Sequence, residues 1–123
     1  MNFCWSTLRV NNLDESIQFY TDVIELEVIN RFKAGPLEIA FLGRGETKIE
    51  LICTDESCKT NTGNDISWGF EVKSIDHTFA LVKEKGIEIE SEPFQPNAHV
   101  RYFFIKDPNG MRIQIVENIT LIQ

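Results

Sequence analysis

The sequence predicts an α+β fold made of two βαβββ modules, whose strands form a curved sheet around a cavity with the helices outside. Three observations predict it. Val10, Leu13, Asp14, Ile17, Phe19 and Tyr20 align with Val72, Ile75, Asp76, Phe79, Leu81 and Val82, so apolar positions and the aspartate recur together. Lys48, Ile49, Glu50, Leu51 and Ile52 align in the same way with Arg112, Ile113, Gln114, Ile115 and Val116. Between the copies, residues 54–65 lack an apolar anchor, which suits a linker better than a loop inside a compact unit. The expected organisation is therefore one domain over residues 1–123, with a first module at about 1–53, the linker at 54–65 and a second module at about 66–118.

The elements follow in order. Residues 3–10 alternate as a strand, and a helix starts near Asn12, where Asn12 and Glu15 have the spacing of a capping box. Leu13, Ile17, Tyr20 and Ile24 repeat at helical period and form its expected buried stripe. Three β-type runs come next, at 27–32, 37–42 and 47–53. In the second copy, 66–72 is the strand and Ser74 the N-cap candidate, with Ile75, Phe79 and Val82 on the buried stripe. Gly86 supplies the helix stop. Strands are expected at 87–89, 100–105 and 111–117, and the irregular run 91–98, with Pro93 and Pro96, reads as a connection or a lid. Gly43-Arg44-Gly45-Glu46 and Asp107-Pro108-Asn109-Gly110 are turns between the last two strands of each copy.

Composition narrows the class. A chain of 123 residues with a net charge of −7 and a pI near 4.8 disfavours nucleic acid and anionic membrane surfaces as partners. No apolar run reaches the length of a spanning helix and no signal-peptide pattern opens the chain, so a cytoplasmic location is expected. Three cysteines form neither a paired framework nor a C-x-x-C motif. Cys4 and Cys53 lie in apolar runs and read as small core residues, whereas Cys58 lies in a polar stretch and reads as exposed.

Strand parity assigns the faces. In the first strand Trp5, Thr7 and Arg9 share one side, and in the fifth Ser67, Gly69 and Glu71 do, opposite the apolar Ile66, Trp68, Phe70 and Val72 expected against the helices. Glu50 and Gln114 sit between helix-facing neighbours and join that second side, so the cavity lining is expected to include Trp5, Arg9, Glu50, Ser67, Glu71 and Gln114. Arg101, Arg112 and Lys48 are expected to add charge at the rim. His77 falls on the exposed helix face and His99 at the edge of a loop.

The order βαβββ–βαββ(β), Thr7-Leu8-Arg9-Val10, Phe19-Tyr20 with Val23 and Leu26 beyond it, Lys48-Ile49-Glu50-Leu51, and Asp107-Pro108-Asn109-Gly110-Met111-Arg112-Ile113-Gln114-Ile115 resemble the vicinal oxygen chelate superfamily, in its glyoxalase I and bleomycin-resistance branch. The resemblance implies that a divalent metal would be held at Trp5, Glu50, Ser67 and Gln114. Only Glu50 keeps a usual ligand type, and an indole offers no lone pair. It implies for Arg9 a contact with a ligand carboxylate, against which stands an ion pair with Glu71 or another interior acid. The expectation is a protein that binds a small organic molecule through Trp5, Thr7, Arg9, Ser67, Glu71, Arg101 and Gln114, with Glu50 as the one candidate general base and no cofactor. The alternative is a metal-dependent lactoylglutathione lyase-type enzyme or an isomerase acting on a carbonyl–thiol adduct. The net charge and Trp5 point to a cationic aromatic ligand, and a homodimer is implied.

Overall fold

A computed structural model describes residues 1–54 and 60–119, so residues 55–59 of the expected linker, Cys58 among them, lie outside the described residues. The chain divides into two compact units, Met1–Thr62 and Gly63–Gln123. In the first, β1 (Trp5–Arg9) leads to α1 (Leu13–Asp22), then β2 (Val28–Ala34), β3 (Leu37–Leu42) and β4 (Lys48–Thr54). In the second, β5 (Ser67–Glu71) leads to α2 (Ile75–Glu84), then β6 (Phe94–Asn97), β7 (Val100–Lys106) and β8 (Arg112–Asn118). Each unit is a four-stranded sheet, ordered β1-β4-β3-β2 and β5-β8-β7-β6. The first and last strands of each copy pair in parallel at the same register, Thr7 beside Glu50 and Gly69 beside Gln114.

The helices begin where the capping residues stand. Asn12 Oδ1 accepts the Glu15 N–H at 2.9 Å, and Ser74 Oγ accepts that of His77 at 3.2 Å. Leu13, Ser16, Phe19 and Tyr20 are buried on α1, while Ile17 of the expected stripe is half-buried. Turning Phe19 inward hides a larger apolar surface than Ile17 offers, and small Ser16, matched by buried Thr78 on α2, lets each helix lie close to its sheet. The core of the first unit gathers Leu8, Val10, Leu42, Ile49 and Leu51 under α1, and that of the second Phe103, Ile105, Met111, Ile113 and Ile115 under α2.

Three expectations are corrected. The strand expected at 87–89 shrinks to a bridge between Ile89 and Ile105, and the fourth strand is instead β6, inside the run read as irregular. Its place at the sheet edge is what tolerates Pro96, because the missing N–H there breaks no ladder. Ile66 does not pack on a helix: it precedes β5 and is 51% exposed. Cys4, expected in the core, is exposed because it precedes β1, while Cys53 is half-buried. Among the described residues no helix is long and apolar enough to cross a membrane.

Turn chemistry fixes both helix exits and the last hairpin. Gly86 at φ 70° ends α2, with its N–H on the Lys83 carbonyl and that of Ile87 on Val82, the two bonds of a Schellman cap. Glu25 takes the corresponding left-handed conformation after α1, at φ 65°, with a side chain that disfavours it. Buried Asp107 holds the β7–β8 turn, its Oδ1 accepting the N–H groups of Asn109 at 2.7 Å and Met111 at 2.8 Å. Gly86→Ala is expected to cost about 1 kcal/mol and Glu25→Gly to add about 0.5 kcal/mol, measured by urea unfolding. Asp107→Ala, which strips two amides of their acceptor, should cost about 2 kcal/mol in the same assay.

Candidate functional site

With one helix on one side of each sheet, every second side chain points to the uncovered side. On the first unit that open face carries Trp5, Thr7 and Arg9 from β1 and Lys48, Glu50 and Ile52 from β4. It also carries Phe41 from β3 and Phe32 from β2, as the pairings of Phe41 with Glu50 and Phe32 with Ile39 require. Glu50 stands at its centre. Thr7 Oγ1 donates a 2.5 Å hydrogen bond to Glu50 Oε1 across the parallel pair. Beside it, Trp5 meets the Phe41 ring edge to face with centroids 5.3 Å apart, and Phe32 stacks on Phe41 at 6.3 Å. Trp5 keeps 51% of its surface exposed, a large apolar area left on a face that also carries charge.

One end of this face opens into a hollow of about 450 Å³. Trp5, Phe41 and Ile29 form its apolar walls, and Asn2, Asn30 and Lys48 bring polar groups to it. The register shift between Val28 and Asn30 bulges β2 at Ile29, which brings Ile29 and Asn30 to the same hollow.

The open face of the second unit repeats the plan with different chemistry. Gln114 replaces Glu50, Phe104 stands opposite it as Phe41 does opposite Glu50, and Gly69 takes the place of Thr7. A side chain at Gly69 would meet Gln114 Oε1 at 3.5 Å, so the glycine leaves the amide uncovered on that side. Phe94, Tyr102 and Phe104 form an edge-to-face series, and the Arg112 guanidinium lies 4.4 Å over the Phe104 ring while binding Glu90 at 3.0 Å. Ser67 and Glu71 share this face, and Glu71 accepts a hydrogen bond from the Asn118 amide.

Of the residues expected at the site, the first unit brings together Trp5, Thr7, Arg9 and Glu50, and the second Ser67, Glu71 and Gln114. Arg101 is a correction. It pairs in register with Glu117, on the helix side of β7, and its guanidinium lies 3.2 Å from Asp76 in the first turn of α2. Glu117 in turn accepts the Ile75 N–H at 2.7 Å, so this pair anchors the helix start and lies behind the sheet from Gln114. The aromatic residues Phe32, Phe41, Tyr102 and Phe104 went unread in the sequence. Parity on β3 and β7, counted from Glu50 and Gln114, is the signal that finds them.

The positions that the resemblance assigns to a metal are Trp5 and Glu50 in one unit and Ser67 and Gln114 in the other. An indole, a hydroxyl, an amide and one carboxylate whose Oε1 already holds a Thr7 hydroxyl do not suit a divalent transition ion. Among the described residues no group of three or more His, Cys, Asp or Glu side chains gathers where it could hold a metal.

Residues 3–115 match the family model described as Glyoxalase/Bleomycin resistance protein/Dioxygenase superfamily. A probable lactoylglutathione lyase of Synechocystis sp. is 29% identical over 119 residues, covering 89% of this chain and 90% of its own. The glyoxalase family protein of Bacillus cereus shares the fold at a TM-score of 0.84 and 21% identity, over 98% of this chain and 95% of that one. A glyoxalase I variant of Zea mays does so at 0.85 and 23%, over 94% of this chain, which spans 44% of the maize chain. Within the described geometry, removing the Thr7 hydroxyl leaves a half-buried carboxylate short of a donor. Thr7→Val is therefore expected to cost about 1 kcal/mol in urea unfolding, and Thr7→Ser, which keeps the hydroxyl, clearly less.

Proposed function

The chain belongs to the Glyoxalase/Bleomycin resistance protein/Dioxygenase superfamily, and we propose that it binds a small organic molecule on its open sheet faces without a metal cofactor. The observation that carries this reading is Glu50. At the position where the family resemblance calls for a metal-binding carboxylate, its Oε1 is held by Thr7, and its surroundings are the aromatic group of Trp5, Phe41 and Phe32. Flat apolar walls beside a fixed hydrogen-bond acceptor and an open hollow favour recognition of a ring-bearing ligand. In this reading Trp5 supplies contact area, and Glu50 and Thr7 supply polar contacts. Arg9 brings a further polar group to the first face, and Ser67, Glu71 and Gln114 are the polar groups of the second face by itself. A homodimer in the cytoplasm belongs to the same reading, and the free thiols of Cys4 and Cys53 are compatible with a reducing compartment.

A second reading is favoured by the names of the relatives: a metal-dependent lyase of the lactoylglutathione type, or an isomerase of a carbonyl–thiol adduct, with Glu50 as general base. The donor set argues against it, because nothing in it replaces the charge stabilisation that an enediolate requires. The two readings separate by experiment. Elemental analysis of protein purified without chelator is expected to find transition metal well below one ion per chain, and a stoichiometric ion overturns the metal-free reading. Trp5→Ala should weaken an aromatic ligand about tenfold in calorimetry. Formation or loss of S-lactoylglutathione by protein supplied with Zn²⁺ or Ni²⁺, abolished in Glu50→Gln, would establish the lyase.

A further inference from the structure

We propose that the hollow at the end of the first unit's open face takes a planar aromatic carboxylate, with its ring against Trp5 and Phe41 and its carboxylate on Lys48. This deepens the binding role proposed above and rests on it.

Lys48 carries the argument. Its backbone pairs in parallel with Trp5, on the open side of β4, so its side chain and the indole enter the hollow together. It is half-buried, and among the described residues its ammonium has neither a hydrogen bond nor an ion pair. The strands of this face carry Arg9 and Glu50 as their other charges, neither of which lines the hollow, in a chain whose total charge is −7. Glu50 does not line the hollow and already accepts the Thr7 hydroxyl, whereas Lys48 lines it with its donors uncommitted. Glu46 also lines the hollow, from an exposed turn where water screens its charge more than it screens half-buried Lys48. The half-buried ammonium beside the indole thus favours a carboxylate here, against the preference for a cation that the net charge suggests.

The remaining walls fit the same ligand. Asn2 and Asn30 present carboxamides that have no hydrogen bond among the described residues, able to donate to a carboxylate or to groups on a ring edge. The N-terminal segment that supplies Asn2 is pinned to β4: Thr47 Oγ1 donates to the Phe3 carbonyl at 3.1 Å, and the Lys48 N–H donates to that of Cys4 at 3.0 Å. Ile29, turned in by the β2 bulge, closes the apolar side. A volume near 450 Å³ admits a bicyclic ring with room to spare.

Three isosteric probes on the full chain test this: naphthalene-2-carboxylate, the neutral 2-carboxamide and the cationic 2-carboxamidine, titrated by calorimetry at two salt concentrations. The carboxylate should bind about tenfold tighter than the amide and the amidine weakest, with the carboxylate's advantage shrinking at high salt. Lys48→Met should bring the carboxylate down to the amide's affinity and leave the amide within about twofold. An amidine that binds tightest overturns the anion assignment, and so does a carboxylate-to-amide ratio unchanged in Lys48→Met. Either result leaves small-molecule binding standing, because the amide still binds. No binding by any of the three overturns both.

Discussion

Each unit has a single helix for a four-stranded sheet, and everything else in the molecule follows from that shortage. One helix covers one side of its sheet, so strand alternation sends half of the side chains to a side that no element of the unit covers. An uncovered sheet side commonly carries polar residues. This protein places Trp5, Phe32 and Phe41 on the first open face and Tyr102 and Phe104 on the second, around a carboxylate and an amide at matched positions. The covered sides, by contrast, hold the aliphatic core and the polar groups that seat the helix ends. Glu117 and Arg101 serve α2 in that way, and Asp14, bound by Arg31 at 2.7 Å, serves α1.

Duplication then supplies two versions of one arrangement, and their differences carry the chemistry. The parallel pair of first and last strand places Thr7 beside Glu50 in one copy and Gly69 beside Gln114 in the other. A hydroxyl donor satisfies a carboxylate that would otherwise stand half-buried among rings, where an uncompensated charge is costly. A neutral amide is less costly to leave there than a charge, and the neighbouring position is reduced to a hydrogen atom. The aromatic residue opposite is kept in both, as Phe41 and as Phe104. What varies between the copies is the hydrogen-bonding group and its support, while the apolar wall stays.

Charge shows the same division between whole and part. The chain is acidic in sum, yet many of its acids are committed to local work at exposed positions, as Asp76 is with Arg101 and Glu27 with Arg44, whose hydrogen bond holds the Glu27 carboxyl below its usual range. Such pairs contribute little stability but remove those charges from any role at the site. The strands of the first open face are left with Arg9, Lys48 and Glu50, and Glu46 joins Lys48 at the hollow, so this face lacks the acidic excess of the whole chain.

The sequence by itself determined the two-copy architecture, the helix starts at Asn12 and Ser74, the stop at Gly86, the turn at Asp107, and the sharing of one face by Trp5, Thr7 and Glu50. Caps, turns and period-two alternation depend on residues a few positions apart, and the repeat shows when the chain is laid over itself, so a linear text contains them. Only the tertiary structure decided the rest. It moved the fourth strand of the second unit to Phe94–Asn97 and sent Arg101 to the helix side. It also set Phe41 against Glu50, and opened a hollow where a bulge in β2 meets the residues before β1. Each of those depends on which strands pair and at what register. Pairing is a contest among whole segments for the same edge, settled by the sum of many weak contacts that no single stretch of sequence displays.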